Sequence, residues 1–375
     1  MNIGITCYPT YGGSGAVAAE LGIELAKKGH NIHFISYGLP FRLNKFYKNI
    51  FFHEVEMLEY SLFKYPPYSL SLSAKMAEVI ESEKLDILHV HYAMPHATSA
   101  YLAKKIIGSS KIKFITTLHG TDITLVGNHE SFYRITKFSI EESDGITCVS
   151  NYLQEATAKI FKINKEMEVI YNFVDTENYK RTGDNRRNID FIDKDDKVIM
   201  HISNFRPVKR IENIVKVFCS VSKSVKSKLL LVGDGPDICK IRSMVNKLNL
   251  QNKVLFLGIQ ENIIPLLSIS DVYMLPSKSE GFGLSALEAL SCEVPVIGTN
   301  VGGLKEVIEN GKSGFIFNRE DIDSMSEAVI KILCNMDTRV KMGIEARKRA
   351  KLFDSKLIVP KYLEYYEKIL NKILI

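Results

Sequence analysis

The chain has 375 residues, of which 46% are hydrophobic and 25% are charged. This length suits two domains of about 150–200 residues each, and the composition is that of a folded globular protein, which excludes the disordered and fibrous classes. The 49 Lys and Arg residues exceed the 43 Asp and Glu residues by 6. A polynucleotide ligand usually requires a concentrated basic face, so this mild excess favours a small anionic ligand and predicts no nucleic-acid partner.

The cysteines and the amino terminus indicate the compartment. Six cysteines are scattered along the chain without a CxxC pair, which predicts neither a disulfide framework nor a zinc site. Met1 is followed directly by NIGITCY, without a basic segment or cleavage site, and no apolar run approaches the ~18 residues of a membrane helix. We therefore expect a reduced, cytoplasmic protein without stable membrane insertion; a homo-oligomer is compatible with the sequence.

Short apolar runs alternate with helix-length amphipathic segments. In the first half, helices are expected over 14–29 and 97–107, and strands at 2–8, 31–37, 86–92, 113–119, 145–150 and 167–172. The second half repeats the scheme, with strands at 197–203, 228–235, 253–258, 271–277, 295–300 and 314–318. This alternation predicts βαβ units around buried parallel sheets, and hence an α/β chain of two Rossmann-like, doubly wound domains facing a cleft.

A polar segment at 173–196 is the expected linker and domain-edge excursion. We accordingly predict a first domain at 1–170, a second domain at 171–355 and a terminal helix at 356–375. That tail places apolar side chains on one helical face, at Leu363, Tyr366, Leu370 and Leu374. We expect the helix to cross back to the first domain.

The first loop is rich in glycine. Gly12, Gly13 and Gly15 follow a strand and open a helix, where backbone N–H groups and the helix dipole favour an anion such as a phosphate. A tight turn without a ligand is the alternative. A dinucleotide site fits poorly, because the spacing is GGxG and the second strand ends in Ser36-Tyr37, where an NAD site has an acid. An oxidoreductase is therefore disfavoured.

Polar side chains follow two other strands of the first half. TTLHGTD (116–122) places His119, Thr121 and Asp122 at a strand end, and HVHYAMPH (89–96) places His91 and Tyr92 at another. Open α/β sheets bind ligands at this edge, where His and Asp can hydrogen-bond sugar hydroxyls or a developing charge; a purely structural role is the alternative for a loop histidine. The histidines of 89–96 have no carboxylate at ligand spacing, so no metal is expected.

Two motifs of the second half carry charge. SNFRPVKR (203–210) places Arg206 and Lys209 between a strand and a helix, suited to a diphosphate. A solvated basic helix start is the alternative, but cations are unfavourable beside the positive end of a helix. EGFGLSALE (280–288) places Glu280 and Glu288 on either side of a glycine turn, so that the two carboxylates can bind different hydroxyls while the helix amino terminus receives a phosphate.

The chain resembles the retaining glycosyltransferases of family 4, which have the GT-B fold. The resemblance rests on motifs that occur in the order GGSG, HGTD, RPVKR, GDGP, EGFGLSALEAL and PVIGTNVGG. The resemblance covers nearly the whole chain. It implies that the domain at 1–170 binds the acceptor and that the domain at 171–355 binds the UDP-sugar. Within this family the chain is similar to a subgroup that transfers N-acetylglucosamine from UDP-GlcNAc to the hydroxyl of L-malate, the first step of bacillithiol biosynthesis. The similarity lies in the segments IGITCYPTYGGSG, LPFRLNK, YPPY and LDILHVHYAMPHA. Within the family, another UDP-sugar with a lipid-linked or saccharide acceptor is the alternative, and a non-catalytic nucleotide-sugar binding protein is the alternative outside it.

The resemblance implies a role for each matching residue. The catalytic set is His119, Lys209, Arg206 and Glu280, and the donor-binding set adds Gly12, Gly13, Gly15, Asn204, Gly283, Leu284 and Glu288. The family usually has an arginine at the position of Asn204, and we expect Arg206 to replace it. For the dianionic acceptor, the candidate residues are Ser14, Arg42, Tyr92, Thr121, Arg134 and Lys137. The resemblance also implies that transfer needs no metal or other cofactor.

Overall fold

The computed structural model describes residues 1–58, 60–108, 112–183 and 189–371. The chain divides into two compact units, Met1–Asn172 with Lys356–Ile375 and Phe173–Ser355. The division after residue 172 lies two residues beyond the expected boundary, and the terminal segment is part of the first unit. Its last four residues, 372–375, lie outside the described residues.

The first unit contains a seven-stranded parallel sheet in the order β3-β2-β1-β4-β5-β6-β7. The strands are β1 (Asn2–Thr6), β2 (Asn31–Ser36), β3 (Ile50–Glu54), β4 (Ile87–His91), β5 (Lys113–Leu118), β6 (Gly145–Cys148) and β7 (Glu168–Val169). The helices are α1 (Gly13–Lys27), α2 (Tyr68–Ser82), α3 (Thr98–Ile106), α4 (Thr121–Thr124), α5 (Glu130–Glu142) and α6 (Asn151–Phe161), with one further turn at Ala93–Ala97. All five residues of β4 are buried, as expected for a central parallel strand.

The second unit contains a six-stranded parallel sheet in the order β10-β9-β8-β11-β12-β13. The strands are β8 (Lys197–Ile202), β9 (Ser227–Val232), β10 (Val254–Gly258), β11 (Val272–Leu275), β12 (Val296–Thr299) and β13 (Gly314–Phe317). The helices are α7 (Ile211–Val221), α8 (Ile238–Lys247), α9 (Ile264–Ile269), α10 (Leu284–Ser291), α11 (Leu304–Val307), α12 (Ile322–Cys334) and α13 (Met336–Lys351). Within the described ranges, no helix is both long and apolar enough to span a bilayer.

The predicted fold class is confirmed, since both sheets are parallel and a helix lies between most pairs of successive strands. The predicted strand runs omit β3, which is the outermost strand of the first sheet. Its Phe51 and Phe52 are 44% and 36% exposed, so β3 has no buried apolar run. An edge strand of this kind gives only a weak sequence signal.

The described part of the expected linker is attached to the second unit. Val174 forms a β-bridge with Asp354, and the Arg181 guanidinium donates to the Ser270 carbonyl at 2.8 Å. Thr182 N donates to the Ser268 hydroxyl at 3.0 Å. These residues therefore form an excursion at the edge of the second unit, as predicted for 173–196, whereas the linker part of that prediction is wrong for them because their polar groups have buried partners. Residues 184–188 lie outside the described ranges.

The terminal helix α14 (Ser355–Leu370) packs on the first unit through tyrosines. The Tyr366 hydroxyl is 2.7 Å from His89 Nδ1, and the Tyr365 hydroxyl accepts from Ile146 N at 2.8 Å. The buried face is Tyr362, Tyr365, Tyr366 and Ile369, whereas the predicted Leu363 and Leu370 are only partly buried. Apolar periodicity identified Tyr366 correctly but missed the other residues of this face, which include tyrosines whose hydroxyl groups have polar partners in the sheet. The predicted Leu374 lies outside the described residues.

The turn after β5 is organised by Asp122, which is 3% exposed. One carboxylate oxygen accepts from the N–H groups of His119 and Gly120 at 3.2 and 2.9 Å, and the other accepts from Ala93 N at 3.1 Å. Burial raises the pKa of Asp122 to about 6, against the opposing effect of these donors. The expectation that Asp122 binds a sugar is therefore corrected, since its oxygens hold the backbone beside the strand ends.

We expect Asp122→Ala to loosen this turn, because three backbone N–H groups lose their acceptor. Each of these three hydrogen bonds contributes about 1 kcal/mol to the stability of the turn, so protection from hydrogen exchange at Ala93 and Gly120 should fall by roughly 100-fold. Exchange measured by mass spectrometry on peptides covering these residues tests this. The matched control is Asp86→Ala, which removes an exposed carboxylate that accepts one backbone N–H, from Asn2, at 2.7 Å. Equal protection in wild type and Asp122→Ala would contradict this role for Asp122.

Candidate active site

The glycine turn after β1 opens onto the amino terminus of α1. Gly12 precedes the helix and no side chain caps it, and the first turn of α1 contains no acidic residue. A Cβ at Gly15 would lie 2.5 Å from the Tyr8 carbonyl oxygen, so the backbone approaches too closely for any other residue. The first N–H groups of α1 are therefore suited to an anion.

The strands β1, β4 and β5 are neighbours in the sheet, which brings three predicted acceptor residues together. The Tyr92 hydroxyl accepts from Ser14 Oγ at 3.0 Å and from Thr121 Oγ1 at 3.2 Å. Tyr92 has a φ of 87°, which is strained for a residue with a side chain. This backbone conformation and its two hydroxyl contacts hold the phenol at the carboxyl edge of the sheet.

His119 is placed by a second histidine at the end of β4. His91 Nδ1 lies 2.8 Å from His119 Nε2, and the two rings stack with centroids 5.0 Å apart. His91 Nε2 is buried without a hydrogen-bond partner among the described residues. A stranded lone pair costs less than a stranded N–H, so we assign the proton of His91 to Nδ1, which donates to His119. His119 then carries its own proton on Nδ1.

The histidines around His119 are neutral at pH 7. Burial, followed by repulsion from His96, lowers the pKa of His119 to about 3. Burial also lowers the pKa of His89 to about 3 and that of His96 to about 4, and places the pKa of His91 well below its usual range. The nitrogens of His89 lie 2.7 Å from the Tyr366 hydroxyl and 2.6 Å from Thr117 Oγ1. This cluster is a hydrogen-bonded network of uncharged imidazoles.

The three predicted acceptor cations have different surroundings. Arg42 is 14% exposed at its side chain, and its Nη1 lies 3.4 Å from Glu20 Oε1. On α5, Lys137 Nζ lies 3.5 Å from Glu141 Oε1, and Arg134 is exposed. Arg42 is therefore the most buried of the three cations.

In the second unit, two predicted site residues form an ion pair. The strands β8 and β11 are neighbours, and the loops that follow them place Lys209 Nζ 2.6 Å from Glu280 Oε1. The same oxygen accepts from Ser277 Oγ at 2.7 Å, and Lys278 N donates to the Val208 carbonyl at 2.7 Å, which ties the two loops together. The sequence analysis did not identify Ser277. Its position just after the end of β11, where site residues are expected, could have indicated it.

The loop then enters α10 through Gly283. This residue has a φ of 99°, and a Cβ there would lie 2.7 Å from Leu304 Cδ1, so the turn requires glycine. No side chain caps α10 and its first turn contains no acid, which leaves the N–H groups from Leu284 onward suited to an anion. Glu288 is the fifth residue of α10 and is only 3% exposed.

The remaining donor candidates follow β8. Asn204 Oδ1 is buried without a hydrogen-bond partner among the described residues, and Arg206 is exposed. A Cβ at Gly235 would lie 2.1 Å from the Asn204 carbonyl oxygen, so the GDGP motif packs its backbone against this loop. The structure thus places Asn204, Arg206, Lys209, Glu280, Gly283, Leu284 and Glu288 in one unit, with a direct contact between Lys209 and Glu280.

Comparison with known proteins identifies the family. A model described as Glycosyltransferase Family 4 matches residues 11–178, and one described as Glycosyl transferases group 1 matches residues 183–349. The chain is 48% identical over 373 residues to an N-acetyl-alpha-D-glucosaminyl L-malate synthase of Bacillus anthracis, covering 99% of this chain and 98% of the relative. It is 28% identical to an uncharacterized glycosyltransferase of Methanocaldococcus jannaschii, covering 86% of each chain.

Solved structures share the fold. A glycosyltransferase from Rickettsia africae has a TM-score of 0.80 and 24% identity, covering 99% of each chain. The Anabaena protein HepE, solved in complex with UDP-glucose, has a TM-score of 0.82 and 18% identity, covering 98% of this chain and 100% of HepE. With the matched family models and the 48% identical relative, these findings show that the chain belongs to the family 4 glycosyltransferases, enzymes with the GT-B fold.

Proposed function

We propose that this enzyme transfers N-acetylglucosamine from UDP-GlcNAc to the hydroxyl of L-malate, with retention of the α-configuration and without a metal ion. The main structural support for a nucleotide-sugar donor is the Lys209–Glu280 ion pair beside the uncapped start of α10. The choice of sugar and acceptor is supported by the 48% identical relative, whose name states both. The six cysteines are all free, which supports a reducing compartment such as the cytoplasm.

The second unit supplies the proposed donor contacts. Lys209 and the N–H groups of Gly283 and Leu284 bind the diphosphate, and Arg206 adds a second cation. The carboxylate of Glu280 accepts from sugar hydroxyls, and Glu288 accepts from the ribose. Lys209 is already fixed by Glu280, so its charge is in place before the reaction and stabilises the departing UDP without reorganisation.

In the first unit, His119 contacts the donor sugar through its Nδ1–H, and the glycine turn faces phosphate. The hydroxyl cluster of Ser14, Tyr92 and Thr121 binds malate, together with at least one cation among Arg42, Arg134 and Lys137. Malate carries two carboxylates, and charge-assisted hydrogen bonds to such groups are the strong ones. Arg42 is the leading candidate because its partial burial strengthens its field.

The proposed chemical step is a front-face displacement. The bond from the anomeric carbon to the phosphate oxygen breaks as the bond to the malate oxygen forms, through an oxocarbenium-like state. The malate hydroxyl proton passes to the leaving phosphate oxygen, so UDP is both leaving group and base. No protein nucleophile is required, and no covalent glycosyl-enzyme forms.

The first prediction concerns substrates and metal. With UDP-GlcNAc and excess EDTA, UDP release should depend on L-malate and should yield an ion with the mass of N-acetylglucosaminyl malate. Coupled UDP detection and mass spectrometry of the product measure both. Equal, slow release with and without malate would show that the acceptor is wrong, whereas activity restored only by a divalent ion would show that metal independence is wrong.

The second prediction separates donor from acceptor binding. Lys209→Ala should lower kcat/KM for UDP-GlcNAc by about 10²–10³-fold, because a fixed cation at the leaving group is lost. Lys278→Ala is the matched control, since it removes an exposed lysine from the neighbouring loop.

Arg42→Ala should raise the KM for malate at least about tenfold and leave the KM for UDP-GlcNAc unchanged. An unchanged malate KM after neutralising Arg42, Arg134 and Lys137 in turn would refute this pocket.

The third prediction concerns the histidine pair. His119→Ala should lower kcat by about 10²-fold without trapping a sugar on the protein. His91→Asn places an amide N–H near the original Nδ1 donor and should retain most of the activity, whereas His91→Leu should lose it. His129→Asn is the control, because it removes an exposed imidazole and keeps an N-cap on α5. Steady-state kinetics measure these changes in activity, and intact-protein mass spectrometry detects any sugar bound to the protein. A stable covalent sugar adduct would overturn the front-face step.

A further inference from the structure

Three side chains of metal-ligand type meet at the outer edge of the first sheet. His33 lies on β2, His53 lies on β3, and Glu83 directly follows α2. His33 Nδ1 is 3.0 Å from His53 Nε2 and 4.0 Å from Glu83 Oε2, and the three ligand atoms lie within 4.8 Å of one another. Neighbouring ligands of a tetrahedral zinc ion lie about 3.3 Å apart for bonds of about 2.0–2.1 Å. A movement of the Glu83 carboxylate, which is 39% exposed, would bring its separation from the two imidazole nitrogens close to that value.

The chemistry of the three groups suits a cation. His33 Nδ1 and His53 Nε2 face each other, and one of them carries the proton of the hydrogen bond that joins them. Once that proton has moved to the other nitrogen of its ring, both facing nitrogens offer a lone pair for a ligand bond. Two further charges act on His53, from Lys75 and Glu78, and they form an ion pair with each other at 2.7 Å. The carboxylate of Glu83 therefore leaves the surroundings of the two imidazoles with a net negative charge.

The adjacent helix end adds to this field. The last turn of α2 contains no basic residue, so the partial negative charge of its carboxyl terminus is not neutralised by a side chain of that turn. A cation bound by Glu83, the residue at the end of α2, would interact favourably with that dipole. A simple hydrogen bond between His33 and His53 accounts for two of the groups but not for the carboxylate beside them.

We propose that His33, His53 and Glu83 bind a Zn²⁺ ion, with water as the fourth ligand. Two imidazoles with one carboxylate favour zinc over magnesium or calcium, which prefer oxygen ligands alone. The ion joins β3, an edge strand with exposed Phe51 and Phe52, to its neighbour β2 and to the end of α2. Three strands separate β3 from β5, which precedes His119, so this site is structural and does not rest on the proposed transfer reaction.

The test uses the full chain, stripped of metal with EDTA and then titrated with Zn²⁺ in competition with a chromophoric chelator. We expect one tight zinc ion per chain. His53→Ala and Glu83→Gln should each weaken its affinity at least about tenfold. The matched control, His129→Asn, removes an imidazole of the same unit and should bind zinc as wild type does.

Thermal unfolding provides a second measurement, on variants whose circular dichroism shows that they are folded. Zinc at about 100 times its Kd should raise the unfolding temperature of wild type by about 5–10 °C and that of Glu83→Gln by much less. Absence of tight zinc binding by wild type, or equal affinity in wild type and in both ligand variants, would overturn the proposal. Glucosaminyl transfer that persists in EDTA while the unfolding temperature falls would place the ion in the structural role proposed for it.

Discussion

The parallel pairing of neighbouring strands is the constraint on which both candidate sites depend. Strands in a sheet lie about 4.8 Å apart, so loops that leave the same end of two neighbours begin side by side. The pairing of β8 with β11 brings Lys209 against Glu280, although 70 residues separate them in sequence. In the first unit, the pairing of β4 with β5 does the same for His91 and His119. These side chains meet because the paired strands fix the positions at which the two loops begin.

Backbone geometry then determines which of these loops can receive an anion. At Gly15 the obstacle to a side chain is the Tyr8 carbonyl, and at Gly283 the obstacles are the positive φ and Leu304. Each glycine sits in or directly before the first turn of a helix whose N–H groups have no side-chain cap. A larger residue would displace the helix start, and the N–H groups would then lose their common direction.

The sequence predicts the parallel sheets well because several buried strands contain continuous apolar runs, as in β11 and at residues 229–232 of β9. It omits β3, whose phenylalanines are exposed. On the buried face of α14 it identifies Tyr366, which contacts His89, but not Tyr365, which contacts Ile146. The site residues could be proposed from motifs at strand ends, but partner assignments could not. That Asp122 serves three backbone N–H groups, and that His33 meets His53, depends on contacts across elements, which local patterns do not encode.

The two units differ in the kind of electrostatics that they offer, and this difference fits the proposed step. In the second unit, Lys209 is held by a fixed counter-ion, Glu280, and is suited to the negative charge that grows on a leaving diphosphate. In the first unit, burial keeps His119 neutral, with a pKa of about 3. A protonated imidazole beside the sugar would repel an anomeric carbon that becomes positive as the bond to phosphate breaks. The neutral ring can donate a hydrogen bond to a sugar hydroxyl without that repulsion. The burial that lowers its pKa therefore also makes it compatible with an oxocarbenium-like state.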